Sequence, residues 1–465
     1  MTSAQNAYWQ TGATTTVTSG TATLTVNDST TYQTFTGFGG TFNEKGWSNL
    51  QLLSAADRTK ALNLLFDWTN GAHFVYGRVP IGANDYALSR YTEDDTANDY
   101  TMTDFSISHD QTYVIPYIQA ALAINPSMEL WASPWSPPAW MKVNGNSSSS
   151  DGNPDDGGNM ASDAKTLTAY ALYLGKWVQA YSGIGITISA IMPQNEPNYS
   201  TGYPSCLWDT SLYDTFIAQY LGPGFASQNV GAQIFLGTMS CQSSCETGDS
   251  NTDADILNAV TADTAAMKYV KGFGMQWNVN GDAPGLAKYN LPIWQTEHRC
   301  GNYAWGGETT IVNVGSAPAN ITYNSATAQN DFNYALESFG NIGQWLQDGA
   351  TTYSAWNMVL DPVGMSMANW PQNALLTVDP SSKALTITPA YYAFRHFSQF
   401  TAPGAVRVAT TGSSTVVSYA FKNPDGSHAV VMYNSATSAT KVTASLEGKL
   451  IQFTIPATAF ATLKT

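Results

Sequence analysis

Charge is scarce in this chain. Charged residues fill 11% of its 465 positions, against about 25% in an average domain. Ser, Thr, Asn, Gln and Gly must therefore cover the surface, as suits work on neutral polymers outside a cell. Basic residues are the scarcer sign: 19 Lys and Arg stand against 34 Asp and Glu, a net charge of −15. That field repels phosphate backbones and anionic membrane surfaces, which argues against nucleic-acid and membrane partners. No run approaches the roughly 18–20 apolar residues of a membrane helix. The opening "MTSAQNAYWQ" lacks a basic segment followed by an apolar stretch, so it is not a signal peptide. The expectation is a secreted mature form.

Cysteines are few as well: Cys206, Cys241, Cys245 and Cys300. Four cysteines allow three pairings, which the sequence does not separate. Cys241 and Cys245 stand four apart, but no second pair and no nearby His supports a metal site. Disulfides suit an exported chain better. A Gly-rich phosphate loop is also missing. "GFGG" after the first strand is a weak echo, with no basic or phosphate-binding helix behind it. What the chain does have is a 43% hydrophobic and 12% aromatic composition, enough for a large core.

The chain changes character twice. Around 14–26, apolar Ala22, Leu24 and Val26 alternate with Thr and other small residues, a strand pattern. After Pro403 the chain is strand-like again: "STVVSYAF", the turn "NPDGS" and "HAVVMYN" read as a hairpin, and "LIQFTIP" as a further strand. Between these ends, short apolar runs at 35–39, 74–81, 129–133, 186–192, 234–237, 272–275, 292–295 and 351–356 alternate with helical patterns. Ser54 and Asp57 mark one helix start. Leu212, Phe216, Ile217, Tyr220 and Leu221 form one helix face that is expected to stop at Gly222–Pro223. Eight such units fit an α/β fold, a (β/α)8 TIM barrel; a doubly wound open sheet is the alternative. The polar stretch at 147–159 reads as a flexible surface loop.

In a barrel, chemistry sits at the C-terminal ends of strands. Glu196 follows the fourth run and Glu297 ends the seventh, so both carboxylates reach one cleft. A lone Glu at a strand end is more commonly a loop charge. Two on facing strands are what glycoside hydrolysis needs: one protonated to serve the leaving oxygen, one to attack or to activate water. Burial and mutual repulsion raise the pKa of one partner.

"QNEP", "QTEHRCG", "GFGGTF", "GRVPIGANDY", "SPWSPPAWMKVNG", "WNMVLDPVG" and "PAYYAFRHFSQFTAPGAVRV" together resemble glycoside hydrolase family 30, the glucosylceramidase and endo-β-1,6-glucanase-like group. The resemblance spans nearly the whole chain. It implies a barrel at 34–390 and a side β-sandwich built from both termini, 1–33 and 391–465. It implies Glu196 as general acid/base and Glu297 as nucleophile of a retaining β-glycoside hydrolase. Arg78 would lie behind the nucleophile, and Asn195 would bind the sugar 2-hydroxyl. Asp85 and Trp135 would line the first subsite, with Trp356 and Asn357 as further sugar contacts. The family's His-x-Tyr after strand six is replaced here by Gln276 and Asn278, which bears on sugar preference. Trp277, Asn278 and His298 complete the expected substrate-binding set. His298 and Arg299 crowd the nucleophile and could hold the loop instead, the reading favoured. In this frame the four cysteines fall on the active-site rim, where bridges would stiffen the loops.

The expected substrate is carbohydrate: a β-glucoside, with β-1,6-glucan first and glucosylceramide-like glycosides second. Galactan, fucoside and xyloside are alternatives. A non-catalytic carbohydrate-binding protein would not need both glutamates. No cofactor or metal is expected, and the chain is expected to act as a monomer.

Overall fold

The computed structural model describes residues 1–143, 153–240, 252–277, 279–299, 309–313, 318–322 and 330–465. Eight parallel strands close into a barrel in chain order: Gly37–Thr41, Tyr76–Ile81, Glu129–Pro134, Ile188–Ile191, Gln233–Met239, Val270–Gln276, Ile293–Glu297 and Thr352–Asn357. Strand eight pairs back onto strand one, with Ser354 opposite Gly39. The eight apolar runs read from the sequence all become barrel strands. They are short and almost wholly buried because helices cover them outside while large side chains fill them inside. Tyr76, Trp131, Met192, Phe235 and Trp294 form that inner cluster. Its bulk requires small residues opposite: a Cβ on Gly274 would lie 2.2 Å from the Met192 sulfur.

Ten strands from both chain ends form a second body. Their order is Ala7–Gln10, Thr2–Ala4, Ala459–Lys464, His428–Asn434, Val416–Lys422, Ala405–Gly412, Leu24–Phe35, Thr440–Leu446, Lys449–Ile455 and Thr15–Val17. The sheet doubles over a core that includes Leu24, Val26, Val430, Met432, Val442 and Ile455. The expected hairpin is present, with Lys422 opposite His428. The strand pattern around 14–26 resolves into two strands, Thr15–Val17 and the long Leu24–Phe35, and a last strand, Ala459–Lys464, follows the one read at "LIQFTIP". Helix Pro389–Ser398 joins the two bodies. Its His396 contacts the hydroxyls of Thr462 and Ser3, each at 2.9 Å.

Other local expectations fare differently. Ser54 caps helix Ala55–Phe66 as read, accepting from the Asp57 backbone. The helix stop at Gly222–Pro223 does not occur: a π-turn, Phe216–Leu221, runs straight into helix Gly222–Gln228. The wide turn makes room for the Pro223 ring, which sits in the following first turn where its missing N–H costs little. Gly222 serves packing instead, since a Cβ there would lie 2.3 Å from the Tyr269 ring. The polar loop is described from residue 153, and this part is pinned. Buried Asp156 takes two hydrogen bonds from Arg90, at 2.8 and 2.6 Å.

Cys206 does not enter a bridge. It is a buried free thiol in the main core, its pKa pushed up to about 12 by burial. A core position, rather than the rim, removes it from the expected disulfide set. Cys241, Cys245 and Cys300 lie outside the described residues. Among the described residues no helix is long and apolar enough to cross a membrane.

Candidate active site

The C-terminal ends of the barrel strands bring the expected residues together around Arg78. This arginine sits in strand two with 0% of its surface exposed. Its guanidinium lies 4.2 Å from the Trp135 ring centroid, with Trp131 and Trp356 at 5.2 and 5.6 Å. A buried cation needs its donors satisfied, and Arg78 spends its fork on three residues. Nη1 donates to Glu297 Oε2 at 2.5 Å, Nη2 to Asn195 Oδ1 at 2.7 Å, and Nε and Nη2 both to Ser133 Oγ.

Glu297 ends strand seven. Its second oxygen accepts from the indole N–H of Trp277 at 2.9 Å. Burial raises its pKa, while Arg78 and the Trp277 indole oppose the rise. Glu196 meets a different environment. Gln276 donates to Oε1 at 2.9 Å and the Tyr203 hydroxyl to Oε2 at 3.2 Å. Burial and then the charge of Glu297 lift its pKa to about 7, against weaker pulls from Gln276, Tyr203 and Arg78. One carboxyl is thus matched to a cation and the other to neutral donors, the split an acid/anion pair requires.

Two backbone outliers mark the place. Glu196 and Trp277 take φ of 50° and 52°, left-handed values rare for such side chains. Each costs roughly 1–3 kcal/mol and persists only where neighbours enforce it. The Glu196 N–H donates to Thr238 O at 3.0 Å, and the Trp277 N–H to Glu297 O at 3.2 Å.

Asn195 has its amide orientation fixed. Its oxygen accepts from both Arg78 and the Thr238 hydroxyl, so its NH2 faces the cleft as a donor. Asp85, after strand two, is buried with Oδ1 unpartnered among the described residues. Burial, then Glu297 and Glu196, raise its pKa well above the carboxylate range. Trp135 and Trp356 stack 5.4 Å apart in an aromatic cluster with Tyr86 and Tyr203, against which Trp277 packs.

Three of the expected substrate contacts spend their polar atoms on protein partners. The Trp356 indole N–H goes to Gln372 Oε1, and Asn357 is held by Gln372 and Asn43, at 2.9–3.1 Å. Asn357 is therefore a strut, and Trp356 offers the cleft its ring alone. His298 turns out of the barrel into the helix layer, where its nitrogens meet Tyr353 Oη at 2.6 Å and Ser338 Oγ at 3.1 Å. The strand alternation that sends Glu297 to the mouth sends its neighbour outward. Burial pulls the His298 pKa down to about 3, so it is a neutral packing residue rather than a substrate ligand. Arg299 likewise faces Glu337, 3.6 Å away, and its carbonyl accepts from Tyr334, in line with the loop-holding reading. Asn278 lies outside the described residues.

Sequence reasoning missed Ser133, Tyr203 and Gln372, and it noted Gln276 only as a departure. Ser133 was visible inside "SPWSPP"; Tyr203 and Gln372 sit on loops whose patterns carry no such signal. A cluster of metal-type ligands among the described residues, Asp28, His428 and Glu447, is in the sandwich. There Lys422 already pairs with Asp28 at 2.9 Å.

Residues 35–401 match the Glycosyl hydrolase family 30 TIM-barrel domain, and residues 404–463 the Glycosyl hydrolase family 30 beta sandwich domain. The chain is 29% identical over 428 residues to the Putative glucosylceramidase 1 of Caenorhabditis elegans, covering 90% of this chain and 77% of that one. It is 27% identical over 467 residues to the Endo-1,6-beta-D-glucanase neg1 of Aspergillus fumigatus, covering 91% and 83%. A solved endo-beta1,6-glucanase structure superposes with a TM-score of 0.80 at 25% identity, covering 95% of this chain and 93% of that chain. With both halves of the architecture matched along almost their full length, this glycoside hydrolase belongs to glycosyl hydrolase family 30.

Proposed function

We propose that the enzyme cleaves β-glucosidic bonds with retention, by double displacement. Glu297 attacks the anomeric carbon as Glu196 protonates the departing oxygen. The glycosidic C–O bond breaks and a glycosyl ester on Glu297 forms. Glu196, now a carboxylate, takes a proton from water as that water attacks the anomeric carbon, and Glu297 leaves as the carboxylate. The observation that carries this reading is the unequal pairing: Glu297 on Arg78, Glu196 on an amide and a phenol with its pKa near 7. The Asn195 amide donates to the sugar 2-hydroxyl and the open Asp85 oxygen meets another hydroxyl, with the rims of Trp135 and Trp356 walling the sugar.

The substrate we infer is a β-1,6-glucan or a related gluco-oligosaccharide. A relative and a solved structure named as endo-1,6-β-glucanases support it. The relative named as a glucosylceramidase supports the second reading, a glucosylceramide-like glycoside. Work outside the cell suits the uncharged surface. Three measurements test the proposal. Glu297→Gln abolishes hydrolysis. Glu196→Ala spares aryl glycosides with good leaving groups and cripples poor ones. NMR of the first-formed anomer reads retention. Near wild-type hydrolysis by Glu297→Gln, or an inverted first product, would refute the mechanism. A product profile on β-1,6-glucan, galactan, xylan and glucosylceramide decides the substrate.

A further inference from the structure

A cavity of about 740 Å3 opens at the opposite end of the barrel from the glutamates. Its lining includes the first residues of strands two, five and seven: Tyr76, Gln233 and Ile293. Strand seven alone separates it from Glu297 by roughly 13 Å, at about 3.3 Å per residue. The volume falls in the range of about 300–1,000 Å3 typical of small-molecule sites. That end of a barrel ordinarily serves stability, which packed side chains serve better than an open cavity of this size. The feature is large enough to admit a ligand.

Its chemistry says what kind. The inner wall is aromatic: Trp294 packs 4.2 Å from Phe235 and 5.3 Å from Tyr76, centroid to centroid. The outer wall is Tyr32, 48% exposed, with the Arg407 guanidinium 3.7 Å from its ring centroid. Arg407 is aimed by one bond, Nε to Gln33 Oε1 at 3.0 Å. Its two Nη groups have no hydrogen-bond partner among the described residues. Asp348 stands on the same lining; its Oδ2 accepts from Asn280 and Gln344. One cation and one anion leave the site balanced, and the net charge of the chain disfavours anionic ligands. The exposed Tyr32 ring beside preset guanidinium and carboxylate groups suits a neutral polyhydroxy ligand, with ring C–H surface on Tyr32 and hydroxyls on the polar groups.

We propose that this basal cavity is a second, non-hydrolytic site for a neutral oligosaccharide chain, holding polymer while the cleft works elsewhere on it. The proposal takes the ligand class from the function proposed above, yet it can be tested without turnover. The test is affinity electrophoresis of Glu297→Gln in gels holding β-1,6-glucan, β-1,6-galactan or xylan. Tyr32→Ala and Arg407→Gln are added singly and together, and thermal melts check folding. In at least one polymer the added substitutions should weaken retention by about fivefold to tenfold, as loss of an aromatic and an Arg anchor implies. Tyr32→Ala with Glu297 intact should keep its kcat/KM on a small aryl glucoside while KM on the polymer rises. Unchanged retention in all three gels overturns the proposal. If the intact enzyme hydrolyses no glycoside but retention still depends on Tyr32, the mechanism fails and this site stands.

Discussion

Gln276→Met removes the amide donor from Glu196 and keeps an unbranched side chain of similar volume. A hydrogen bond to a charged group contributes about 1.5–3 kcal/mol. The protonated carboxyl still accepts on its carbonyl oxygen, so only part of that separates the two protonation states. Taking about half gives about 1 kcal/mol, close to one pKa unit. Donation favours the carboxylate, so its loss raises the Glu196 pKa, from about 7 to about 8. In glycosylation the protonated form is the working one, so the basic limb of kcat/KM moves upward by about one unit. The assay is kcat/KM against pH on an aryl β-glucoside with a poor leaving group. An activated nitrophenyl glucoside, which needs little acid help, serves as control. Tyr203→Phe should produce a smaller shift in the same direction, because its bond is longer, 3.2 against 2.9 Å. A basic limb that stays put or moves down in Gln276→Met, with the fold intact by thermal melt, refutes the reasoning.

Arg78→Lys keeps the charge but loses the fork to Ser133 and Asn195. It should cost about a hundredfold in kcat/KM and move the acidic limb upward as Glu297 exchanges a hydrogen-bonded guanidinium for a less well placed ammonium; an unmoved profile counts against the pairing. His298→Phe should leave kcat/KM unchanged and lower stability by about 1–3 kcal/mol, by stranding the Tyr353 hydroxyl, since Ser338 keeps its bond to the Tyr334 carbonyl; a raised KM without a fall in Tm would make His298 a substrate ligand. Burial raises Glu93 to about 8, Glu196 to about 7 and Asp110 to about 6. Between unfolded and folded pKa values, the folded state holds a proton the unfolded chain has lost, so each group costs about 1.4 kcal/mol of stability per pH unit as pH rises. Their sum puts the highest Tm near pH 4–5 with a decline towards pH 8, and Glu93→Gln flattens the decline. A Tm that climbs from pH 5 to pH 8 refutes the assignment.

The barrel was legible because each strand is buried on both faces, and burial on both faces writes itself as a short apolar run bounded by turn residues. The glutamates were legible for a related reason: each ends or follows such a run, where the fold delivers a side chain to the cleft. What the sequence hid depends on single-residue register. Glu297 and His298 are neighbours with similar prospects on paper, and strand alternation alone sends one to the mouth and the other into the helix layer. Gln276 could be seen as an unusual residue, but its reach to Glu196 follows from a shift in pairing between strands six and seven at Met275 and Gln276. Asn357 was read as a sugar contact because it ends strand eight. The loop carrying Gln372, hundreds of residues from Asn43 in sequence, claims it instead. Pro223 misled because a stop signal is local, while a π-turn carries the helix past it and Gly222 is kept small by the Tyr269 ring.

The division of labour between the glutamates follows from how donors are shared. Three carboxyl groups, on Glu196, Glu297 and Asp85, lie buried around one guanidinium, and burial alone drives all three toward the protonated form. Arg78 cannot neutralise three anions, and its fork reaches only one of them. Glu297 receives that charged donor and an indole, Glu196 an amide and a phenol, and Asp85 Oδ1 nothing among the described residues. Because the desolvation is common to all three, the donors decide the order in which they ionise, Glu297 first. The remaining prongs of Arg78 hold Asn195 and Ser133, so the cation paired with Glu297 also aims the amide beside Glu196. A lysine could supply the charge at Glu297. It could not hold both sides of the cleft in one rigid plane, and for that reason the Arg78→Lys variant should lose rate as well as shift its acidic limb.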